Sequence, residues 1–95
     1  MKKYYVYIVE CSDGRYYTGV SNNVERRLKE HNEGIDSKAY TFNRRPIRLK
    51  YTVSFTNIIN AIQFEKQVKG WSRSKKEALI NGAYEELIEL AKKKR

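Results

Sequence analysis

Residues 4–31 read YYVYIVECSDGRYYTGVSNNVERRLKEH. Two tyrosine-rich runs, 4–10 and 15–20, flank the sequence CSDG and lead into a basic, helix-like stretch. Side chains alternate along a strand, so Tyr5, Tyr7 and Val9 share one face of the first run and Tyr4, Val6 and Ile8 the other. In the second run Tyr17 and Gly19 stand against Tyr16, Thr18 and Val20. The connection decides which faces meet. A two-residue turn at Asp13-Gly14 would put Tyr7 and Tyr17 on opposite faces. A three-residue loop, Ser12-Asp13-Gly14 with Gly14 left-handed, pairs Cys11 with Arg15 and Val9 with Tyr17. Tyr7 then lies opposite Gly19, on the face of Tyr17, and the missing side chain at 19 opens a pocket over both phenols. This register is the expectation.

The stretch after the hairpin predicts a helix, with Asn22 as its cap and Glu25 completing a capping box. Val24, Leu28 and Ile35 mark its inner side. Arg27 and His31 are four residues apart and share a flank, whereas Arg26 points elsewhere, to the surface.

The rest of the chain is built outward from this unit. With 95 residues there is room for one domain, 1–95, with one modest core. No apolar run approaches the roughly 18 residues that span a membrane, and no signal-peptide pattern begins the chain. The single cysteine, Cys11, cannot form an internal disulfide, which suits a reducing cytoplasm. Lys and Arg number 20 against 11 Asp and Glu, for a net charge of +9. So basic a surface on so small a protein attracts polyanions, nucleic acid above all.

The segment 33–48 has no period. It interleaves Lys38, Arg44, Arg45 and Arg48 with Tyr40 and Phe42, cations for phosphates beside rings for bases, a pattern that suits single-stranded or distorted nucleic acid. The same aromatics could equally tuck into the core. Lys69 and Arg73 extend this set of nucleic-acid-binding candidates. In IRLKYTVSF, Ile47, Leu49, Tyr51, Val53 and Phe55 alternate with Arg48, Lys50, Thr52 and Ser54, predicting a third strand with those five on one face. Thr56 or Asn57 then caps a helix to about Trp71, with Ile58, Ile59, Ala61, Ile62, Val68 and Trp71 on its inner arc. Glu65 falls within that arc. An inward carboxylate is costly unless a cation or hydrogen bonds receive it, and the alternative is a surface ion pair with Lys69 at i+4. Ser74 and Glu77 predict a capping box for a short helix that Gly82 ends, with Asn81 as a helix-end residue. Tyr84, Leu87, Ile88 and Ala91 mark a last amphipathic helix before the basic tail 92–95.

These blocks resemble the GIY-YIG nuclease superfamily, and most of all its small single-domain predicted endonucleases. Tyr5-Val6-Tyr7 stands where that family has Gly-Ile-Tyr, and Tyr17-Thr18-Gly19 where it has Tyr-Ile-Gly. VERRLKEH follows at the right spacing, and NAIQFEKQVKGWSRSKKEALI is similar to the family's glutamate helix. The first motif is degenerate, with Tyr5 in place of glycine, which narrows the expected pocket. The resemblance implies an α/β fold, a small three-stranded antiparallel or mixed sheet flanked by helices. It implies metal-dependent hydrolysis of phosphodiester bonds in DNA, with Mg²⁺ or another divalent cation such as Mn²⁺, in repair or processing of branched, damaged or single-stranded DNA. It assigns Tyr7 as the general base and Tyr17 as its support. Arg27 would hold the scissile phosphate, His31 would carry or donate a proton, and Glu65 would ligate the metal. Two other readings are a nucleic-acid-binding module without turnover and a basic interaction protein whose tyrosines are only core.

Overall fold

The computed structural model describes residues 2–83. Its centre is a three-stranded antiparallel sheet in the order β2-β1-β3, with β1 at Tyr4–Glu10, β2 at Tyr16–Ser21 and β3 at Arg48–Phe55. Helix α1 (Val24–Glu33) follows β2, and α2 (Ile58–Lys69) and α3 (Arg73–Ile80) follow β3. The central strand is covered on both faces, so Val6, Tyr7, Ile8 and Val9 are all buried in succession.

The β1–β2 hairpin takes the three-residue loop. Val9 pairs with Tyr17 and Tyr7 with Gly19. The Cys11 N–H donates to Arg15 O at 2.8 Å, and the Gly14 N–H donates to Cys11 O at 2.9 Å. Gly14 has φ 85°, the left-handed conformation the loop requires.

On the other edge the alternation of β3 breaks. Ile8 pairs with Tyr51 but Val9 pairs with Leu49, so Lys50 is an extra residue that forms a bulge. The expectation that Ile47, Leu49, Tyr51, Val53 and Phe55 share a face is therefore corrected: the bulge sends Ile47 and Leu49 to the side of Tyr7 and Val9. Ile47 is buried there with Tyr7, Val9 and Cys11, and Tyr17, Val24 and Leu28 pack against them. The opposite face packs Ile8 against Val68 and Leu79, with Tyr16, Tyr51, Phe64, Trp71 and Ile80 around them. Each face of the sheet thus has its own small core.

Helix starts and faces differ from the sequence pattern in detail. Asn23, not Asn22, caps α1: its Oδ1 accepts the Arg26 N–H at 3.0 Å, while Ser21 Oγ accepts the Asn23 N–H at 3.0 Å. Glu25 is then the second helical residue, and the capping box does not form. Gly34, at φ 69°, ends α1 and turns the chain away, which leaves Ile35 70% exposed instead of inward. Asn57 caps α2 as expected. That helix seats on the line Ala61, Glu65 and Val68, with Phe64 beside it, so Ile59 is 61% exposed and Ile58 and Ile62 lie on the outer flanks. Ser72, not Ser74, caps α3, and Gly82 at φ 69° closes it with Asn81 as the end residue. The expected last helix and basic tail lie outside the described residues.

Candidate active site

The hairpin register brings Tyr7 over Gly19. A Cβ at residue 19 would stand 2.5 Å from Tyr7 Oη and 2.6 Å from its Cζ. The ring is 1% exposed and packed among Val9, Cys11 and Ile47, so it has nowhere to move. Gly19→Ala is therefore expected to destabilise the domain by about 1–3 kcal/mol through overpacking and to displace the phenol. Chemical denaturation together with the Tyr7 ring resonances would measure both; wild-type stability with unshifted resonances would refute the packing argument.

Beyond the phenol lies His31, delivered by the last turn of α1. Tyr7 Oη is 3.3 Å from His31 Nε2, and His31 Nδ1 is 2.7 Å from Thr41 Oγ1. All three side chains are buried. Tyr17 meets the imidazole edge-on, with ring centroids 5.6 Å apart, and its centroid is 6.5 Å from that of Tyr7. Burial pushes the Tyr7 phenol above its ordinary range, Tyr17 and Glu65 push the same way, and Arg27 opposes them. Burial pushes the His31 imidazolium down, and the Arg27 charge adds to this, so the ring is neutral at pH 7. Arg27 sits one turn before His31, its guanidinium facing the phenol and 3.5 Å from Glu30 Oε1. Arg27, Glu30, His31 and Thr41 line one small cleft with Asp36 and Ala39.

Glu65 enters from α2, which packs against β1 and β2. It is 7% exposed, as the inner-face reading expected, and it is also paired: Lys69 Nζ lies 2.7 Å from its Oε2. The two readings set against each other in the sequence are both present. The Glu65 carboxylate pushes the Lys69 ammonium up, and that ammonium is 5.7 Å from the centre of the Tyr17 ring. Tyr7, Tyr17, Arg27, His31 and Glu65 are thus one polar cluster on the α1 side and edge of the hairpin. Among the described residues no group of three His, Cys, Asp or Glu could hold a metal. Glu65 would be a single protein ligand, and one carboxylate beside substrate phosphate and waters fits Mg²⁺ or Mn²⁺.

The basic candidates fare differently. Arg44 stacks 4.1 Å from the Tyr40 ring, donates to Tyr40 O at 2.8 Å and lies 3.1 Å from Asp13 Oδ2. Arg45 stacks on Phe42 and donates to the carbonyls of Phe42 and Asn32. Arg48 pairs with Glu10, and Arg73 bonds Gly14 O and pairs with Glu77. These contacts tie the four to loops and strand ends, while the side chains of Arg48 and Arg73 remain 77% and 52% exposed and Lys38 is exposed. The ring of Tyr40 is stacked on Tyr17 at 5.8 Å and 20°, so the 33–48 segment is folded onto the site. Sequence reading missed Thr41. No pattern could have found a hydroxyl in an aperiodic loop ten residues from its partner.

The fold and this cluster define an α/β domain of a nuclease-type hydrolase superfamily. Residues 3–78 match the GIY-YIG catalytic domain, and the chain belongs to that family. It is 47% identical over 77 residues to a UPF0213 protein of Halobacterium salinarum, covering 81% of this chain and 99% of the relative. It is 44% identical to the UPF0213 protein BH0048 of Halalkalibacterium halodurans, covering 93% of this chain and 96% of that one. The solution structure of BH0048 superposes with a TM-score of 0.55 over 88% of this chain and 92% of that chain. That of EF2693 from E. faecalis superposes with a TM-score of 0.62 at 33% identity, covering 88% of each chain. No described helix is long and apolar enough to cross a membrane.

Proposed function

We propose that this protein is an endonuclease that hydrolyses phosphodiester bonds in DNA with a divalent cation, Mg²⁺ or Mn²⁺. The observation that carries the reading is the convergence of a buried phenol, a neutral imidazole, a guanidinium and an inward carboxylate at one hairpin. The substrate in this reading is branched, damaged or single-stranded DNA in a repair or processing reaction.

In this mechanism Tyr7 takes a proton from the attacking water, having passed its own to His31 Nε2, 3.3 Å away. The imidazolium so formed returns that proton to the leaving alkoxide. Free phenol and imidazole differ in acidity by enough to make the first transfer cost roughly 5 kcal/mol, and burial widens that gap. Arg27 works against it, since its charge favours the phenolate. Its donors also suit the charge that develops on the phosphoryl oxygens. Tyr17 fixes the imidazole from the side. A divalent cation on Glu65 would supply Lewis-acid neutralisation of the phosphate.

The test is nicking of supercoiled plasmid with and without Mg²⁺, using Arg27→Ala and the neighbouring Arg26→Ala. Arg27→Ala should lower the rate on the order of 10²-fold, and Arg26→Ala far less. An equal loss in both would remove Arg27 from the centre. One observation favours a second reading, a binding module without turnover: the Lys69 ammonium already sits on the Glu65 carboxylate. That reading predicts DNA binding with no nicking at any Mg²⁺ concentration.

A further inference from the structure

We propose that a row of isoleucines on the outer side of α2, Ile58, Ile59 and Ile62, takes the faces of unstacked bases beside the bond that is cut, so that the protein selects DNA whose strands are parted. The inference rests on the nuclease reading for the position of that bond, but the binding it describes needs no cleavage. Single exposed apolar side chains are ordinary on a protein surface. These three form a patch. Ile58 is 39% exposed, Ile59 61% and Ile62 36%, and Ile62 follows the other two at helical spacings of four and three.

The row runs into the site. At about 3.6 residues per turn, Ile58, Ile62, Glu65 and Lys69 fall within roughly 60° of one another, along one side of the helix. Contacts fix which side it is: Lys69 Nζ lies 5.7 Å from the centre of the Tyr17 ring, and Glu65 pushes the Tyr7 phenol up. The other side is filled, with the Phe64 ring centre 5.6 Å from that of Phe55 and 6.3 Å from that of Trp71. A rise of about 1.5 Å per residue puts Ile62 roughly 5 Å along the axis from Glu65, and Ile58 roughly 10 Å. Stacked nucleotides of one strand are about 3.4 Å apart, so the row covers the first few beside the scissile phosphate.

The chemistry of this surface chooses its occupant. Glu65 is the one carboxylate of α2, against Lys66 and Lys69, and Lys66 stands between Ile62 and Ile59 around the helix. Isoleucine interleaved with lysine matches a molecule that carries both phosphates and bare apolar faces. Intact duplex offers the phosphates but keeps its base faces stacked inside. Parted strands offer both, and isoleucine is among the apolar side chains that DNA-bending proteins insert between base steps. The cores of protein–protein interfaces, by contrast, are depleted in lysine. The join with Glu65 decides against a lipid surface as well, because whatever lies on the row must also reach the site, whose occupant is a phosphodiester.

The test measures binding by the full-length protein in EDTA, where no strand is cut, at one fixed salt concentration. The probes are a short single-stranded DNA, an abasic strand with the same number of phosphates, and a duplex of the same length, each followed by fluorescence anisotropy. Wild type should bind the single strand roughly tenfold more tightly than the abasic strand, since each base face taken up adds to affinity. Ile59→Ser combined with Ile62→Ser should abolish that difference and leave abasic and duplex binding unchanged. Lys66→Ala should weaken all three probes alike, as loss of a phosphate contact does. Wild type that binds the base-bearing and abasic strands equally would overturn the proposal. So would a double variant that keeps the preference, or one that weakens all three probes alike. Loss of binding to phosphatidylglycerol vesicles, or of self-association in sedimentation, with the base preference intact would assign the row to a lipid surface or a second copy instead. A lowered melting temperature with the preference intact would place another part of this chain on it. Ile59→Ser alone, at the most exposed of the three positions, repeats the test if the double variant does not fold. Base preference in wild type that does not nick plasmid would count against the nuclease reading alone, and nicking without base preference against this inference alone.

Discussion

Tyr7→Phe should slow plasmid nicking by roughly 10²–10⁴-fold, the range of a general acid–base contribution, with DNA affinity unchanged. The substitution removes one oxygen and keeps the ring that packs over Gly19 against Val9, Cys11 and Ile47. What the fold loses is the bond to His31 Nε2, a part of stability worth about 1 kcal/mol. Rate and stability therefore separate in this variant, as they would not for Tyr7→Ala, which would empty the core. The pH profile gives a second check. Burial and the neighbouring Tyr17 hold the phenol protonated well above neutral pH, so the Tyr7–His31 pair keeps the proton it relays and the wild-type rate should stay level from neutral pH until the phenol ionises, then fall. His31, pushed down by burial, is already neutral over that range and adds no step of its own. Tyr7→Phe should remove that alkaline fall. A mutant that nicks at the wild-type rate with the wild-type profile would exclude Tyr7 as the base.

What was legible in the sequence was what short-range rules determine. The hairpin register followed from counting Ser12, Asp13 and Gly14 between two alternating runs, and it alone placed Tyr7, Gly19 and Tyr17 together. Arg27 and His31 share a flank because helical spacing requires it. Glu65 faced inward as its place in the apolar arc predicted. The errors arose where a distant partner decides. The bulge at Lys50 depends on how β3 meets β1, and no residue in IRLKYTVSF announces it. The face α2 buries is set by how it seats on the sheet, so three isoleucines that a helical wheel places inside lie at the flank or in solvent. The ion pairs of Arg44, Arg48 and Arg73 were likewise out of reach of the sequence, because the carboxylates that meet them, Asp13 and Glu10, are more than 30 residues away, or, for Glu77, were assigned to a cap. Thr41 carries no local signal. Its role exists only once the loop has folded back onto α1.

Glu65→Gln should reduce Mg²⁺-dependent nicking by at least roughly 10³-fold, since the charge stabilisation a bound cation supplies is worth several kcal/mol. Glutamine keeps the volume and one carbonyl oxygen but loses the charge that holds a hard cation. DNA affinity should persist, because lysines such as Lys2, Lys3, Lys29 and Lys38 are exposed on the surface. The complication is Lys69, 2.7 Å from the Glu65 carboxylate. Were Glu65 only its ion-pair partner, then Lys69→Met and Glu65→Gln would both break that pair and leave nicking alone. The stability change is small for Glu65→Gln, below about 1 kcal/mol, because Lys69 is half exposed and in water, and larger for Lys69→Met, which leaves a buried carboxylate without its cation. If Glu65 holds the cation, the two variants diverge. Lys69→Met removes the ammonium that competes for the carboxylate, so nicking should survive at a lower Mg²⁺ requirement, while Glu65→Gln fails at every concentration. Magnesium titrations of nicking on wild type and both variants, with melting temperatures beside them, separate these cases. Wild-type nicking in Glu65→Gln at an unchanged Mg²⁺ requirement would take Glu65 out of the site.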